Sequence, residues 1–205
     1  MGLNGVKSPL NVLDMNDNHV LCASPQWAEG LEIDVLIPLS TGVELGDLML
    51  EVGPGPGAAT GWLRHRVKRL VAVELDAASA GSLAQHYEGT NVEVVVGDAS
   101  NIGCPNDTFD SAGCFTMLHH VSSTVGQNRI LAEIMRVLRP GGVFIGSDSI
   151  ASDGLHHFHE GDVYNPIDPG SLYTRLSTLG FTRVSVMVDH HLRFTAYKPE
   201  GASNT

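Results

Sequence analysis

Apolar runs of strand length recur along the chain, each separated from the next by a stretch whose apolar positions return every three or four residues. The runs are Leu48–Val52 (LMLEV), Leu70–Glu74 (LVAVE), Val92–Gly97 (VEVVVG), Ser111–Met117 (SAGCFTM) and Gly142–Asp148 (GVFIGSD). Between them the spacing predicts helices over Gly57–Val67, Ala77–Tyr87 and Val125–Leu138. The last carries Ile130, Ile134 and Val137 on one face and meets a proline and glycine stop at Arg139–Gly142. Strand and helix alternating in this way build parallel βαβ units.

The pattern changes towards the end. Asp168 and Pro169 open a helix striped by Leu172, Leu176 and Leu179 and closed by Gly180. Two strands then follow, FTRVSVMV and LRFTAYK, joined only by DHH, a connection short enough to force a hairpin. Ahead of the first strand, Ser24–Pro38 reads as an amphipathic helix capped by Ser24, with Trp27, Leu31 and Val35 on one side. The expected fold is α/β: a Rossmann-like, mostly parallel seven-stranded sheet with a C-terminal antiparallel hairpin and helices on both faces. One domain is expected over 1–205, with 1–44 as an N-terminal cap, 45–148 as the cofactor-binding half and 149–205 as lid and acceptor side.

Composition narrows the partners. Twelve Lys and Arg stand against 23 Asp and Glu, for a net charge of -11, which repels a phosphate backbone. The dense basic stretch Arg64–Arg69 is read as favouring a helix C-terminus. Nucleic acid is not expected as substrate. Cys22, Cys104 and Cys114 have neither disulfide nor zinc-motif spacing, no apolar run reaches membrane length, and the start MGLNGVKS has Val6 where a myristoylation signal wants Ser or Thr. The expectation is a cytoplasmic protein, monomer or homodimer, that binds no membrane.

The chemistry concentrates in LEVGPGPGAAT, Leu50–Thr60, where a glycine-rich turn follows the first strand and lets backbone approach a ligand. Gly53, Gly55 and Ala58 with Glu74 satisfy a dinucleotide spacing, so a nicotinamide-dependent oxidoreductase is one reading. Glu51 before the first glycine, GDAS (Gly97–Ser100) after the third strand and the terminal hairpin favour another.

EVGPGPG, VAVELD, GDASNIGCPNDTFDSA, MLHHV and LRPGG, in that order, resemble the motifs of class I S-adenosylmethionine-dependent methyltransferases, in particular their small type 11 group. The resemblance implies S-adenosylmethionine as cofactor. Gly53, Gly55 and Gly57 would pass under its methionine part and Glu51 would sit near its amino group. Glu74 would take the ribose hydroxyls, Asp98 the adenine amino group and Ala99 the ring, with Leu75 and Thr116 completing the cofactor-binding set. LDAAS departs from the usual pattern after the second-strand acid.

Transfer to a hydroxyl also needs a proton removed, and histidine has a suitable ordinary pKa. His119 and His120, after the fourth strand, are the candidate catalytic residues. His157, His159 and Asp162 in the long segment Ser149–Pro166, with His19 and Trp27 from the N-terminal piece, are candidates for binding the substrate. Asp148, His119 or His120, and Asp162 or His159 could converge on a cation, but a hard ion prefers oxygens and no metal is predicted. The expected activity is methylation of a small-molecule hydroxyl on a sugar, lipid-derived, polyketide or quinone-like acceptor. A cofactor-binding regulator or partner subunit without catalysis is the alternative of a different class.

Overall fold

The computed structural model describes residues 17–201; residues 1–16, which hold the stretch read for a myristoylation signal, and residues 202–205 lie outside the described residues. Among the described residues the strands are β1 (Leu48–Val52), β2 (Arg69–Glu74), β3 (Val92–Val96), β4 (Phe109–Phe115), β5 (Leu138–Asp148), β6 (Thr182–Val188) and β7 (Leu192–Tyr197). They form one sheet in the order β3-β2-β1-β4-β5-β7-β6. β1 to β5 run parallel, and β7 is antiparallel to both β5 and β6. This is the expected Rossmann-like α/β sheet.

The period-two alternation of each strand assigns its side chains to one of two cores. Leu50, Val52, Val71, Val73, Cys114, Phe144 and Phe194 face one way. There they meet Ile130, Leu131 and Ile134 of helix α5 (Thr124–Val137) and Leu172 and Leu176 of α7 (Pro169–Thr178). Met49, Leu70, Phe115 and Ile145 face the other way, against Leu31, Val35, Leu36, Leu39 and Leu63. Each fully buried Leu or Phe stabilises this arrangement by about 1.5–3 kcal/mol. The same parity puts Glu51, two residues after Met49, on the second face.

The N-terminal helix is composite. Ser24 caps α1 (Pro25–Leu31) by accepting from the Trp27 N–H, a wider π turn spans Glu32–Leu36, and α2 (Ile37–Ser40) completes it. The π turn sits just before Pro38, whose ring crowds the carbonyl of Asp34 and offers it no N–H. Arg193 on β7 donates to that freed carbonyl at 3.1 Å.

Two expected elements are corrected. The helix read over Gly57–Val67 is only α3 (Thr60–Leu63), because Gly57 holds φ +88° before it and beyond it the Arg66 N–H turns back to the Leu63 carbonyl, three residues rather than four. Its basic tail is therefore not a helix end as expected: Arg66 donates to the Trp62 carbonyl and lies over its ring, while Lys68 pairs with Asp47. β5 starts earlier than expected, since residues 139–142 bulge opposite Asp110 and Arg139 pairs with that side chain. α4 (Ala77–His86) lies where the spacing put it, and α6 (Asp153–Phe158) is a helix, not expected from the sequence, within the long segment after β5. No helix among the described residues is long and apolar enough to cross a membrane.

Candidate active site

A cavity of about 600 Å³ opens at the carboxyl ends of β1, β2, β3 and β4, the place where open parallel sheets bind ligands. Its floor is the turn after β1. Gly53 and Gly55 hold φ +63° and +51°, backbone that a Cβ disfavours, and a Cβ on Gly53 would lie 2.2 Å from Met117 Cγ. Gly57 is a correction: it does not line the cavity. The chain has turned away by then, and Gly57 faces Leu83 and Tyr87 of the helix behind, with its carbonyl accepting from the Tyr87 hydroxyl at 3.4 Å.

Four carboxylates, Glu51, Glu74, Asp76 and Asp98, line the cavity wall. Glu51 is 2 % exposed and accepts from the Thr60 hydroxyl at 2.7 Å. Burial pushes its pKa up to about 7, and the nearby Glu74 charge adds to the rise while Thr60 opposes it. Glu74, at the end of β2, is held on both sides: Oε2 accepts from the Gly55 N–H at 3.1 Å and Oε1 from the Asp76 N–H at 3.0 Å. Each oxygen keeps a second lone pair. Asp98 Oδ1 accepts from the Ser100 N–H at 2.7 Å, so this residue also ties the turn after β3. Leu75, Ala99 and Thr116 line the same cavity. Thr116 holds φ +49°, strained for a β-branched residue, and is fixed by its N–H to the Ser147 carbonyl at 2.9 Å.

This donor and acceptor set fits an adenosyl sulfonium. Acceptor oxygens at Glu74 and Asp98 suit ribose hydroxyls and an adenine amino group, a Cβ-free turn admits the amino-acid tail, and a buried carboxyl at Glu51 suits an ammonium.

His19, Trp27 and His120 also line the cavity. His19 comes from the 3-10 segment Asp17–Ala23 and bonds Asp162 at 2.8 Å. His159, capping α6, packs its ring 5.2 Å from those of His19 and His120. His119 is buried beside His120 with Nδ1 2.6 Å from Asp148, and it does not line the cavity. His120 differs from the expected base: burial, with the imidazoles of His119, His19 and His159 around it, holds its pKa down at about 3. It stays neutral at physiological pH and is a weak proton acceptor. His157 is a second correction. It follows His156 by one residue on α6, so it faces outward, 87 % exposed, near Glu160 and away from the cavity.

Sequence reasoning did not single out Thr60, Arg129 or Tyr164. Thr60 sits on a short helix that the glycines obscure. Arg129 lines the cavity from the exposed side of α5, and Tyr164 stacks on His159 with centroids 4.4 Å apart. Nothing in the local pattern marked Arg129, since Glu133 stands one helical turn away as an ordinary surface partner.

Residues 50–146 match the family model of a methyltransferase domain of the type 11 group. A ribosomal RNA small subunit methyltransferase A from Geobacter metallireducens is 51% identical over 57 residues, 27% of this chain and 21% of that protein. The chain thus aligns with about a fifth of the length of that relative, and with 35% of the Pelotomaculum thermopropionicum one. Among solved structures, a protein of Pyrococcus horikoshii OT3 has a TM-score of 0.73 at 18% identity, over 87% of this chain and 94% of its own. An S-adenosylmethionine-dependent methyltransferase from Mesorhizobium loti has a TM-score of 0.64 at 18% identity, over 78% of this chain and 96% of its own. At these identities the solved structures bear on the fold, and the matched domain bears on the family. Residues 50–146, just under half of the chain, thus carry a methyltransferase domain of the type 11 group, and this match supports S-adenosylmethionine as the cofactor.

Proposed function

We infer that the chain transfers the methyl group of S-adenosylmethionine to a hydroxyl of a small molecule. The observation that carries this reading is one cavity lined both by cofactor-type carboxylates and by Trp27, His19 and His120. Glu74 accepts from the ribose hydroxyls, Asp98 and the backbone of Ala99 meet the adenine, Leu75 and Thr116 flank it, and Glu51 faces the amino group. Gly53 and Gly55 let the methionine portion lie against the turn.

The cofactor supplies an activated methyl on a positively charged sulfur. Transfer of that methyl to the acceptor oxygen would break the C–S bond, release S-adenosylhomocysteine as a neutral thioether and leave the hydroxyl proton to solvent. Alignment and exclusion of water are the protein's main contributions. His120, held neutral, lines the acceptor side with its ring, and His119 is fixed behind it by Asp148. His159 and Asp162 act through His19.

Calorimetry with S-adenosylhomocysteine and with NAD tests the cofactor: micromolar binding of the first and none of the second is expected, and the reverse overturns the reading. A labelled-methyl assay over hydroxylated small molecules then tests the acceptor. The curated relatives named as ribosomal RNA methyltransferases favour a second reading, an RNA acceptor, against which stands the net charge of -11. Label entering small-subunit ribosomal RNA and no small molecule would decide for it.

A further inference from the structure

His19, His120 and His159 come from three separate segments, yet their ring centroids form a nearly equilateral triangle with sides of 5.0, 5.2 and 5.2 Å. One ring nitrogen from each lies within 4.8 Å of the other two. Three imidazoles gathered for packing alone would each satisfy both nitrogens or turn one to water. His120 does neither: its Nδ1 is buried and has no hydrogen-bond partner, although the residue as a whole is 9 % exposed.

The opposite edges of the rings are anchored. His19 Nε2 is 2.8 Å from Asp162 Oδ2, and His159 Nδ1 is 2.7 Å from the Leu155 carbonyl. The backbone of Val163 hydrogen-bonds His120. One nitrogen held by a carboxylate or carbonyl and the other left bare is the outer arrangement that orients imidazole as a metal ligand.

We propose that His19, His120 and His159 bind one divalent cation of the zinc class, with its fourth position open to the cavity. Three nitrogens and no oxygen select such an ion over magnesium or calcium. Tetrahedral coordination at about 2.0–2.1 Å sets the nitrogens about 3.3 Å apart, so the rings draw together by small side-chain rotations. His19 and His120 line the cavity, and the fourth ligand therefore comes from it. A hydroxyl or thiol of the acceptor fits there, bound through its heteroatom and giving its proton to solvent more readily than when free. That last role rests on the methyltransferase reading; the metal site does not. The carboxylates that the sequence offered as ligands, Asp148 and Asp162, stand one step back, bonded to His119 and His19.

The test uses the untagged chain, stripped with chelator and titrated with Zn²⁺, with Co²⁺ as a spectroscopic probe. One equivalent of zinc should bind at micromolar or tighter affinity, millimolar Mg²⁺ should not compete, and Co²⁺ should give the visible bands of a tetrahedral site. Replacing an outer-shell partner of a metal typically weakens binding about 10–100-fold; Asp162→Asn should fall in that range, and His120→Ala or His159→Ala should lose at least about a hundredfold. His157→Ala should change nothing. Folding of each variant is checked by S-adenosylhomocysteine binding, or by circular dichroism if that ligand fails. Zinc at well under one equivalent, or full affinity in folded His159→Ala, overturns the site. Zinc bound without S-adenosylhomocysteine would uphold the metal and fail the methyltransferase reading; the converse result would do the opposite.

Discussion

Glu74 Oε2 accepts from the Gly55 N–H at 3.1 Å, so the carboxylate at the end of β2 also clamps the turn after β1. Its other oxygen takes the Asp76 N–H at 3.0 Å. Both bonds fix the carboxylate before any ligand arrives, the preorganisation that a charged acceptor needs. Glu74→Ala should raise the dissociation constant for S-adenosylhomocysteine by at least about tenfold, or 1.4 kcal/mol. Glu74→Gln should also weaken it, because an amide NH₂ would face one of two backbone donors. Calorimetry reads both, and unchanged affinity in Glu74→Ala would refute the ribose role.

Glu51 makes cofactor binding dependent on pH. Burial raises its pKa from 4.5 to about 7, so much of it is protonated in the free protein at neutrality. A ligand ammonium beside it would pull that value down. S-adenosylhomocysteine should therefore bind with release of a proton near pH 6.5, and its affinity should rise as pH increases through about 7. Titrations in buffers of differing ionisation enthalpy measure the proton. The stability of the free protein runs the other way: the contribution linked to this group is full below about 4.5 and lost as pH rises through about 7, on the order of 3 kcal/mol. Melting temperature should fall over that range, and Glu51→Gln should flatten the fall.

Two glycines should respond to alanine with opposite signs. A Cβ on Gly146 would lie 2.3 Å from Phe194 Cζ and 2.7 Å from the Cys114 carbonyl oxygen, and the backbone atom cannot step aside. Gly146→Ala should lose several kcal/mol, comparable to an overpacked core or worse. Gly81, inside α4, has nothing within 4 Å of a built Cβ, and Gly81→Ala should gain about 0.5–1 kcal/mol. Denaturant melts of the two variants separate them.

His119 and Asp148 form a buried pair, with side chains 4 % and 0 % exposed. His119→Ala removes the imidazole from a carboxylate whose other oxygen already has no partner, leaving only the Ser149 N–H as a described hydrogen-bond donor to Oδ1. It should cost about 3–5 kcal/mol. Adding Asp148→Asn should recover part of that loss, since a neutral amide suffers less from burial. Additive losses across the cycle would mean the two side chains are not coupled.

The strands were legible because each central one is buried on both faces and reads as an unbroken apolar run; LMLEV marked β1 from first residue to last. Glu74 and Asp98 were legible as strand-end acids. The bounds of α3 were not, because Gly57, at φ +88°, holds the chain out of the helix that the spacing began there. His157 and His159 look equivalent in sequence, and only the turn of α6 separates an outward ring from an inward one. The gathering of His19, His120 and His159 was out of reach for another reason: its parts are 39 to 140 residues apart in the chain, and no local pattern encodes their meeting.

β7 follows β6 in the chain yet lies between β6 and β5. For a ribosome releasing the polypeptide N-terminus first, one flank of β5 remains a bare ladder of amide groups until Leu192–Tyr197 has cleared the exit tunnel. The nascent protein is most open to strand exchange with a neighbour during that interval, and the hairpin's three-residue link keeps the two final strands arriving together.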